Sequence, residues 1–220
     1  MNKLKIAVDI DGVLRDFTHS LNKAYNEAHP GAPVMYPDHK DFGLHKLYPI
    51  GKDIYDFVWK THAWDCLFDA DPFEGAIEFM QELKTESREI ILLTAQPTPE
   101  AKMATMDWIY DQGLLEVVDD IVIISGGKDN LNKALIPSVN ILVDDYIKNL
   151  ECVQWSGIFP ICFTRPWNAK WTGTRVANYE ELLIAIEKIE KKTAFTKRSI
   201  VDTERLSECL GMKELQEKEI

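Results

Sequence analysis

The sequence contains no apolar run long enough to cross a bilayer. Its N-terminus reaches acidic residues after only a few apolar ones, which is unlike a secretory signal peptide. These two absences exclude a membrane-spanning protein of the helical kind. We therefore expect a protein that stays in the cytoplasm and has no membrane partner.

Cysteines and basic residues are also scarce. The four cysteines include no CxxC pair, and none has a histidine at zinc-ligand spacing, so neither a disulfide framework nor a zinc site is expected. The 36 acidic residues outnumber the 25 basic ones and give a net charge of −11, which disfavours binding of long nucleic acid. A small phosphorylated ligand held through a metal ion is compatible with this charge.

Five short apolar runs rich in β-branched residues are typical of strands buried on both faces of a parallel sheet. They are Lys5–Val8, Ile90–Leu93, Ile121–Ile124, Ile141–Val143 and Ile158–Phe163. Helical patterns lie between them, at Phe73–Lys84, Pro99–Asp111, Tyr146–Trp155 and Asn178–Lys191. Strands that alternate with helices predict a doubly wound α/β core.

The segment 16–71 interrupts this alternation. It carries helical patterns at Phe17–Ala28 and Lys52–Trp59 around a stretch rich in Pro, Gly and His. Because it lies between the first two predicted strands, we expect an inserted helical cap, with a core domain formed by residues 1–15 and 72–192. The charged stretch 193–220 is typical of a solvated tail helix. The alternative is an oligomer contact, as in a homodimer.

Polar side chains follow three of the predicted strands at the point where each strand ends. Asp9 and Asp11 follow the first strand, Thr94 ends the second, and Asp144 and Asp145 end the fourth. Ligands of open parallel sheets bind beyond the carboxyl ends of the strands, so these side chains are expected to converge. Clustered carboxylates repel one another unless a divalent cation compensates them, and Mg²⁺ suits oxygen ligands shared with a phosphate. The inventory suits phosphoryl transfer, in which an aspartate can attack phosphorus directly.

The order and context of these motifs resemble the haloacid-dehalogenase (HAD) superfamily. Asp9–Leu14, read DIDGVL, resembles the first motif, and Ile91–Thr94 resembles the second. A lysine resembles the third motif, with Lys133 preferred and Lys128 as the fallback, and Leu142–Asp145 resembles the fourth. The resemblance implies a HAD-like, Rossmann-like core and a Mg²⁺-dependent phosphatase.

The resemblance also implies a role for each motif residue. Asp9 would be the nucleophile and a metal ligand. Asp11 would be the general acid and base, and its backbone carbonyl would ligate the metal. Asp144 and Asp145 would hold Mg²⁺ directly or through water. The phosphate-binding residues would be Thr94, Ala95 and Lys133, with Lys128 as the alternative.

Three further segments resemble the 5'(3')-deoxyribonucleotidase, or cytosolic type C nucleotidase, family: Trp59–Trp64, Pro72–Ala76 and Phe163–Asn168. This likeness implies hydrolysis of (deoxy)nucleoside monophosphates. The sequence departs from the family at Ala95, where a serine is frequent, so that hydroxyl is missing. In this architecture the cap faces the site, and at least one cap aromatic residue is expected to contact the substrate. The candidates are Phe57, Trp59, Trp64 and Phe68.

Three other functions stay open at this point. The substrate of a HAD phosphatase could be another small ester, such as a sugar phosphate. A 3'-phosphatase acting on nucleic-acid ends is disfavoured by the acidic charge. A catalytically silent HAD-fold binding protein is disfavoured by the intact pair of Asp9 and Asp11. The sequence leaves open the base, the sugar, and whether the 5' or the 3' phosphate is removed.

Overall fold

A computed structural model of the protein describes residues 3–33, 41–125, 139–154 and 156–192. Both candidate lysines of the third motif, Lys128 and Lys133, lie outside these ranges, as does the predicted tail 193–220. The chain divides into two compact units, Met1–Leu182 and Leu183–Ile220. The sheet and all the site residues discussed below belong to the first unit. No helix within the described ranges has the length and apolarity needed to cross a membrane.

In the described part of the chain, six strands form one sheet in the order β3-β2-β1-β4-β5-β6, and every pair in it is parallel. Their bounds are β1 Leu4–Val8, β2 Arg88–Ala95, β3 Asp120–Ile124, β4 Ile141–Asp144, β5 Phe159–Phe163 and β6 Arg175–Val176. The predicted doubly wound α/β fold is therefore confirmed. The sequence patterns missed β6 because a strand of two residues carries no periodicity.

Helices lie between the strands along the chain and build the insert after β1. Their bounds are α1 Phe17–Ala28, α2 Leu44–Leu47, α3 Ile54–Asp56, α4 Ala76–Leu83, α5 Pro99–Asp111 and α6 Ile147–Gln154, and residues 179–192 are also helical. The α5 helix has the predicted bounds because its ends are encoded locally. The Thr98 hydroxyl caps it by accepting a 3.2 Å hydrogen bond from the Ala101 N–H. Gly113 follows its end with a φ of +67°, which favours glycine.

The insert after β1 differs from its prediction in one place. A single helix was predicted over Lys52–Trp59, but the chain there forms a 3-10 turn at Gly51–Asp53, then α3, then a π-helical turn at Phe57–Thr61. A second π-helical turn follows at Trp64–Phe68. Bonds from residue i to i+5 define these turns, as between the N–H of His62 and the carbonyl of Phe57, 2.8 Å apart. A pattern search at 3.6 residues per turn does not detect such wider turns.

The insert leaves and rejoins the sheet domain at neighbouring points. The Asp16 N–H donates to the Asp71 carbonyl at 2.9 Å, and the Phe73 N–H donates to the Leu14 carbonyl at 2.9 Å. The insert also has a core of its own, which reaches two alanines of α5. Its buried members include Leu21, Tyr25, Ile54, Phe57, Leu67, Ala101 and Ala104. We propose that residues 16–71 act as the cap of the active site, and we call them the cap below.

Candidate active site

Three buried carboxylates meet at the carboxyl ends of the two central strands. Asp9 directly follows β1, Asp144 ends β4, and Asp145 comes next in the chain. Parallel pairing of Val8 with Val143 brings them together. One oxygen of each lies within 4.8 Å of the others, and the residues are only 6%, 0% and 4% exposed, respectively. Such a cluster of hard oxygen donors fits a divalent cation, which would offset the mutual repulsion of the carboxylates.

Asp144 is held rigidly by the start of α6. Its Oδ1 accepts a 2.8 Å bond from the Tyr146 N–H, and its Oδ2 accepts a 2.9 Å bond from Asn149 Nδ2. Asn149 is itself buried. These two donors fix the plane of the carboxylate, which would suit a metal ligand. Asn149 was not among the residues predicted from the sequence.

Asp145 is held by the loop after β5. Trp167 Nε1 donates to Asp145 Oδ2 at 2.8 Å, and Asn168 Nδ2 donates to the Asp145 carbonyl at 2.9 Å. Both donors belong to the segment Phe163–Asn168, whose likeness to the nucleotidase family was visible in the sequence. The likeness itself did not say what the segment does. In the structure it orients one of the three clustered carboxylates.

The side chain of Asp11 is separate from this cluster but lines the same cavity. Its Oδ1 accepts a 2.8 Å bond from Arg15 Nε, which is also an ion pair. Its Oδ2 accepts a 2.8 Å bond from Gln96 Nε2. Sequence reasoning missed both donors. The resemblance assigned only the backbone carbonyl of Asp11 to the metal, and the structure does not bring its side chain into the carboxylate cluster.

Asp9 and Asp145 of this cluster line a cavity of about 810 Å³, while Asp144 is buried behind them. Thr94 and Ala95 line its wall beside Asp9, where the resemblance places phosphate contacts. Aromatic residues contribute much of the remaining wall. They are Phe17, Phe42, Tyr55 and Trp59 from the cap, and Tyr146 and Trp167 from the core.

Of the four cap aromatics predicted to contact substrate, the structure brings only Trp59 to the cavity. Phe57 is 7% exposed and belongs to the core of the cap, and Phe68 packs against that core. Trp64 is 37% exposed, and its Nε1 donates to Asp107 Oδ2 at 3.3 Å on the outside of α5. The sequence analysis selected these residues only because they belong to the cap, and that position does not say which of them faces the cavity.

Phe42 and Tyr146 are lining residues that sequence reasoning did not select. Their rings stack across the cavity between the cap and the start of α6, with centroids 4.0 Å apart and planes at 19°. Tyr146 directly follows the acidic pair of the fourth motif, and this position is the one sequence signal that could have identified it.

Basic side chains are rare around this cavity. Among its lining residues within the described ranges, Lys148 on α6 is the only one with a basic side chain. No hydrogen bond or ion pair of Lys148 is found with another described residue, and it is exposed.

Arg165 is not among the residues that line the cavity. Its Nε donates to the Gly12 carbonyl at 2.6 Å, and its guanidinium stacks 3.7 Å from the Phe73 ring centroid. Burial lowers the pKa of the Arg165 guanidinium.

Sequence comparisons with known proteins point to one family. The sequence model of the family described as 5' nucleotidase, deoxy (pyrimidine), cytosolic type C protein matches residues 2–191. A Bacillus cereus protein named as a nucleotidase is 26% identical over 197 residues, covering 84% of this chain and 99% of that protein.

Solved structures share the fold at low sequence identity. A haloacid dehalogenase-like family hydrolase of Streptococcus pneumoniae superposes with a TM-score of 0.58 at 17% identity, covering 84% of this chain and 98% of that one. The Bacillus subtilis HAD-type protein YfnB, solved with bound magnesium, has a TM-score of 0.58 at 14% identity and covers 83% of this chain and 97% of its own. The chain therefore belongs to the cytosolic type C 5'-nucleotidase family, has the HAD fold, and is a phosphatase of the nucleotidase kind.

Proposed function

We propose that the protein removes the phosphate of (deoxy)nucleoside monophosphates in a Mg²⁺-dependent reaction that passes through an aspartyl-phosphate on Asp9. The observation that carries the proposal is the cluster of Asp9, Asp144 and Asp145, two of which line a cavity that also has aromatic rings in its wall. The cluster supplies the carboxylates that phosphoryl transfer needs. The aromatic wall supplies the surface that a nucleobase needs.

The residues that would hold Mg²⁺ are Asp9, Asp144 and Asp145, whose neighbouring oxygens form a hard donor set. When bound, the ion would supply positive charge against the phosphoryl oxygens and against the three carboxylates. The magnesium found in YfnB supports this assignment for a protein of the same fold. Asn149 and Trp167 would keep two of the carboxylates in place through their hydrogen bonds.

In the first step, a carboxylate oxygen of Asp9 would form a bond to phosphorus while the ester bond to the nucleoside oxygen breaks. Asp11, in its protonated form, would give its proton to that leaving oxygen. In the second step, Asp11 would take a proton from a water molecule, whose oxygen attacks the phosphorus of the aspartyl-phosphate. The bond from Asp9 to phosphorus then breaks, inorganic phosphate leaves, and both aspartates return to their starting forms.

Thr94 and Ala95 are proposed to contact the phosphoryl oxygens, because they line the cavity next to the first motif. The hydroxyl of Thr94 is a suitable donor, while Ala95 offers only its backbone. The third-motif lysine, Lys133 or Lys128, stays a prediction from the resemblance. Lys148 adds a positive charge to the same cavity and is proposed to contribute to the binding of the anionic substrate.

The nucleoside is proposed to lie against the aromatic part of the wall. Stacking of a base on an aromatic side chain contributes on the order of 1–3 kcal/mol. A sugar phosphate has no flat π-face to use this surface and would need more hydrogen-bonding partners. The family description, which names deoxy and pyrimidine substrates, points to the same class.

The direct test is phosphate release from a panel of deoxynucleotides, ribonucleotides and sugar phosphates, with Mg²⁺ and with excess EDTA. We expect release from pyrimidine deoxynucleoside monophosphates that stops in EDTA and returns when Mg²⁺ is restored. Asp9→Asn keeps the shape of the side chain but removes the attacking charge, so it should lower kcat at least about a thousandfold without changing the circular dichroism spectrum. Full phosphate release in EDTA would refute the metal requirement. A near-normal kcat of the Asp9→Asn variant would show that Asp9 is not the nucleophile.

A further inference from the structure

Arg15 is a completely buried arginine whose three nitrogens bond to three different parts of the fold. Its side chain is 0% exposed. Nε donates to Asp11 Oδ1 at 2.8 Å, Nη1 donates to the Leu67 carbonyl at 2.9 Å, and Nη2 donates to Thr105 Oγ1 at 3.1 Å. The guanidinium also lies 5.1 Å from the ring centroid of Trp108. Arg15 thus joins the cap, α5 and the carboxylate of Asp11.

Enclosing this charge is costly for the fold. A buried ion is destabilising unless a partner of opposite charge and further hydrogen bonds compensate it, and an apolar side chain of similar volume is often as stable. Stability alone therefore does not account for an arginine here. The partner of Arg15 is Asp11, a carboxylate that lines the active-site cavity, so the arginine is directed at the site.

A second buried donor holds the other oxygen of the same carboxylate. Gln96 is 0% exposed, and its Nε2 donates to Asp11 Oδ2 at 2.8 Å. A carboxylate has about four acceptor positions, so the bonds from Arg15 and Gln96 leave about two for a proton or a water molecule. Together the two donors fix the plane of Asp11 and the direction of its remaining lone pairs.

We propose that Arg15 is a positioning residue for proton transfer. It holds Asp11 in the orientation in which this carboxyl exchanges protons with the leaving oxygen and with the attacking water. Through the Leu67 carbonyl it also ties that orientation to the cap turn at Trp64–Phe68. The inference rests on the proposed function, because it takes Asp11 as the acid and base.

The test separates proton transfer from the attack on phosphorus by means of the leaving group. A nucleoside leaves as a poor alkoxide that needs a proton, whereas p-nitrophenolate leaves without one. In rapid-quench experiments, Arg15→Met should slow formation of the phosphoenzyme from a nucleotide at least about tenfold. With p-nitrophenyl phosphate, the first release of p-nitrophenolate should stay within about twofold, while the later, water-dependent turnover slows as it does for the nucleotide. Arg15→Lys keeps the charge and should recover part of the loss.

Two further variants keep the test decisive. Arg88 is another buried arginine, 5% exposed, at the start of β2 and outside the residues that line the cavity. Arg88→Met should lower stability but affect the two substrates equally. Thr105→Val is nearly isosteric and removes only the acceptor for Nη2 of Arg15. It should change the ratio of the rates with the nucleotide and with p-nitrophenyl phosphate in the same direction as Arg15→Met. If Arg15→Met does not fold, Thr105→Val provides the test by itself.

Equal losses for both substrates and both phases in Arg15→Met and Thr105→Val would overturn the positioning role, and so would the absence of any loss. These results are distinct from failure of the proposed function. In that case the unmodified protein itself would release no phosphate from any nucleotide, and the inference would fall with it.

Discussion

The backbone of Gly12 lies directly against the carboxylate of Asp145. A Cβ atom placed on Gly12 would be 2.1 Å from Asp145 Oδ2 and 2.7 Å from its Cγ. The φ angle of Gly12 is also +77°, in the left-handed region that favours glycine. The glycine of the first motif therefore lets the first and fourth motifs approach closely enough to share one cluster of carboxylates.

Gly12→Ala should displace Asp145 from this cluster. We expect a kcat lowered at least about tenfold and a higher Mg²⁺ concentration for half-maximal activity, because misplacing a ligand by about 1 Å is costly at such a site. Activity as a function of Mg²⁺ concentration measures both effects. Gly157→Ala is the matched control, because Gly157 has a φ of +79° and a Cβ added there would meet nothing within 4 Å beyond its chain neighbours.

The control should show only backbone strain, on the order of 1–2 kcal/mol in the free energy of unfolding, with normal kcat. If Gly12→Ala and Gly157→Ala have the same activity, the close approach of Gly12 to Asp145 has no functional importance.

Mg²⁺ should stabilise the folded protein through the three buried carboxylates. Their mutual repulsion is relieved when the ion binds, and a ligand at about 100 times its Kd adds about 2.7 kcal/mol to the free energy of unfolding. For a chain of this size, this corresponds to a rise in Tm of roughly 5 °C or more. Asp145→Asn should lose most of the rise, as measured by calorimetry with and without Mg²⁺.

Asp119→Asn provides the control for a carboxylate outside the cluster, since Asp119 pairs with Lys84 at 2.9 Å. It should keep the Mg²⁺-dependent rise in Tm. An equal rise in Asp145→Asn and in the unmodified protein would argue that the ion binds elsewhere.

The fold and the three clustered carboxylates follow from local sequence patterns. Buried parallel strands produce continuous apolar runs, and polar residues at their carboxyl ends must meet when the strands are neighbours. The pairing of β1 with β4 supplies that neighbourhood for Asp9 and Asp144. The sequence alone could therefore predict where these carboxylates lie without any knowledge of the cap.

The surroundings of Asp11 could be predicted from the sequence only in part. Arg15 reaches the Leu67 carbonyl across 52 residues, and Gln96 reaches Asp11 across 85 residues. The contact with Leu67 has no period or local motif, because it depends on how the cap packs. Gln96 directly follows β2, the neighbour of β1, so the strand-end argument could have selected it. An arginine in a sequence is by default read as exposed, and only the three-dimensional packing shows that Arg15 is enclosed.

The buried cysteines predict a loss of stability at alkaline pH. Cys66 and Cys162 are 0% exposed, and burial raises the pKa of each thiol from 9.0 to about 12. The folded state therefore favours the neutral thiols. Their contribution is fully present below pH 9.0 and is lost progressively as the pH rises toward 12. The free energy of unfolding should fall between about pH 9 and pH 10, before tyrosines titrate in the unfolded chain.

Urea unfolding at several pH values measures this slope. Cys66→Ala and Cys162→Ala should each make it shallower, and the double variant should make it shallower still. Both thiols should also resist alkylation in the folded protein at about pH 8.5, where an exposed thiol reacts through its thiolate. Rapid alkylation of Cys66 without unfolding would contradict its burial in the core of the cap.

Trp59 and Trp64 belong to successive π-helical turns but face different surroundings. Trp59 lines the cavity and stacks on Phe17, with ring centroids 5.6 Å apart and planes at 5°. Its carbonyl accepts a hydrogen bond from the Thr98 hydroxyl, which anchors the turn to the start of α5. Trp64 instead donates to Asp107 outside the cavity. The two tryptophans are thus a matched pair for testing which side chain reads the nucleobase.

Trp59→Ala should raise the KM for a pyrimidine deoxynucleotide about tenfold or more, the effect of losing one stacking contact. Trp64→Ala should leave that KM within about twofold, since only a partly exposed hydrogen bond is lost. Hydrolysis of a small alkyl phosphate should be nearly unchanged in both variants, because this substrate has no base to stack and still meets Asp9 and Thr94. Steady-state kinetics on both substrates make the comparison. A larger effect of Trp64→Ala on the nucleotide would show that the base lies outside the cavity described here, and equal losses on both substrates would show that Trp59 only packs the cap.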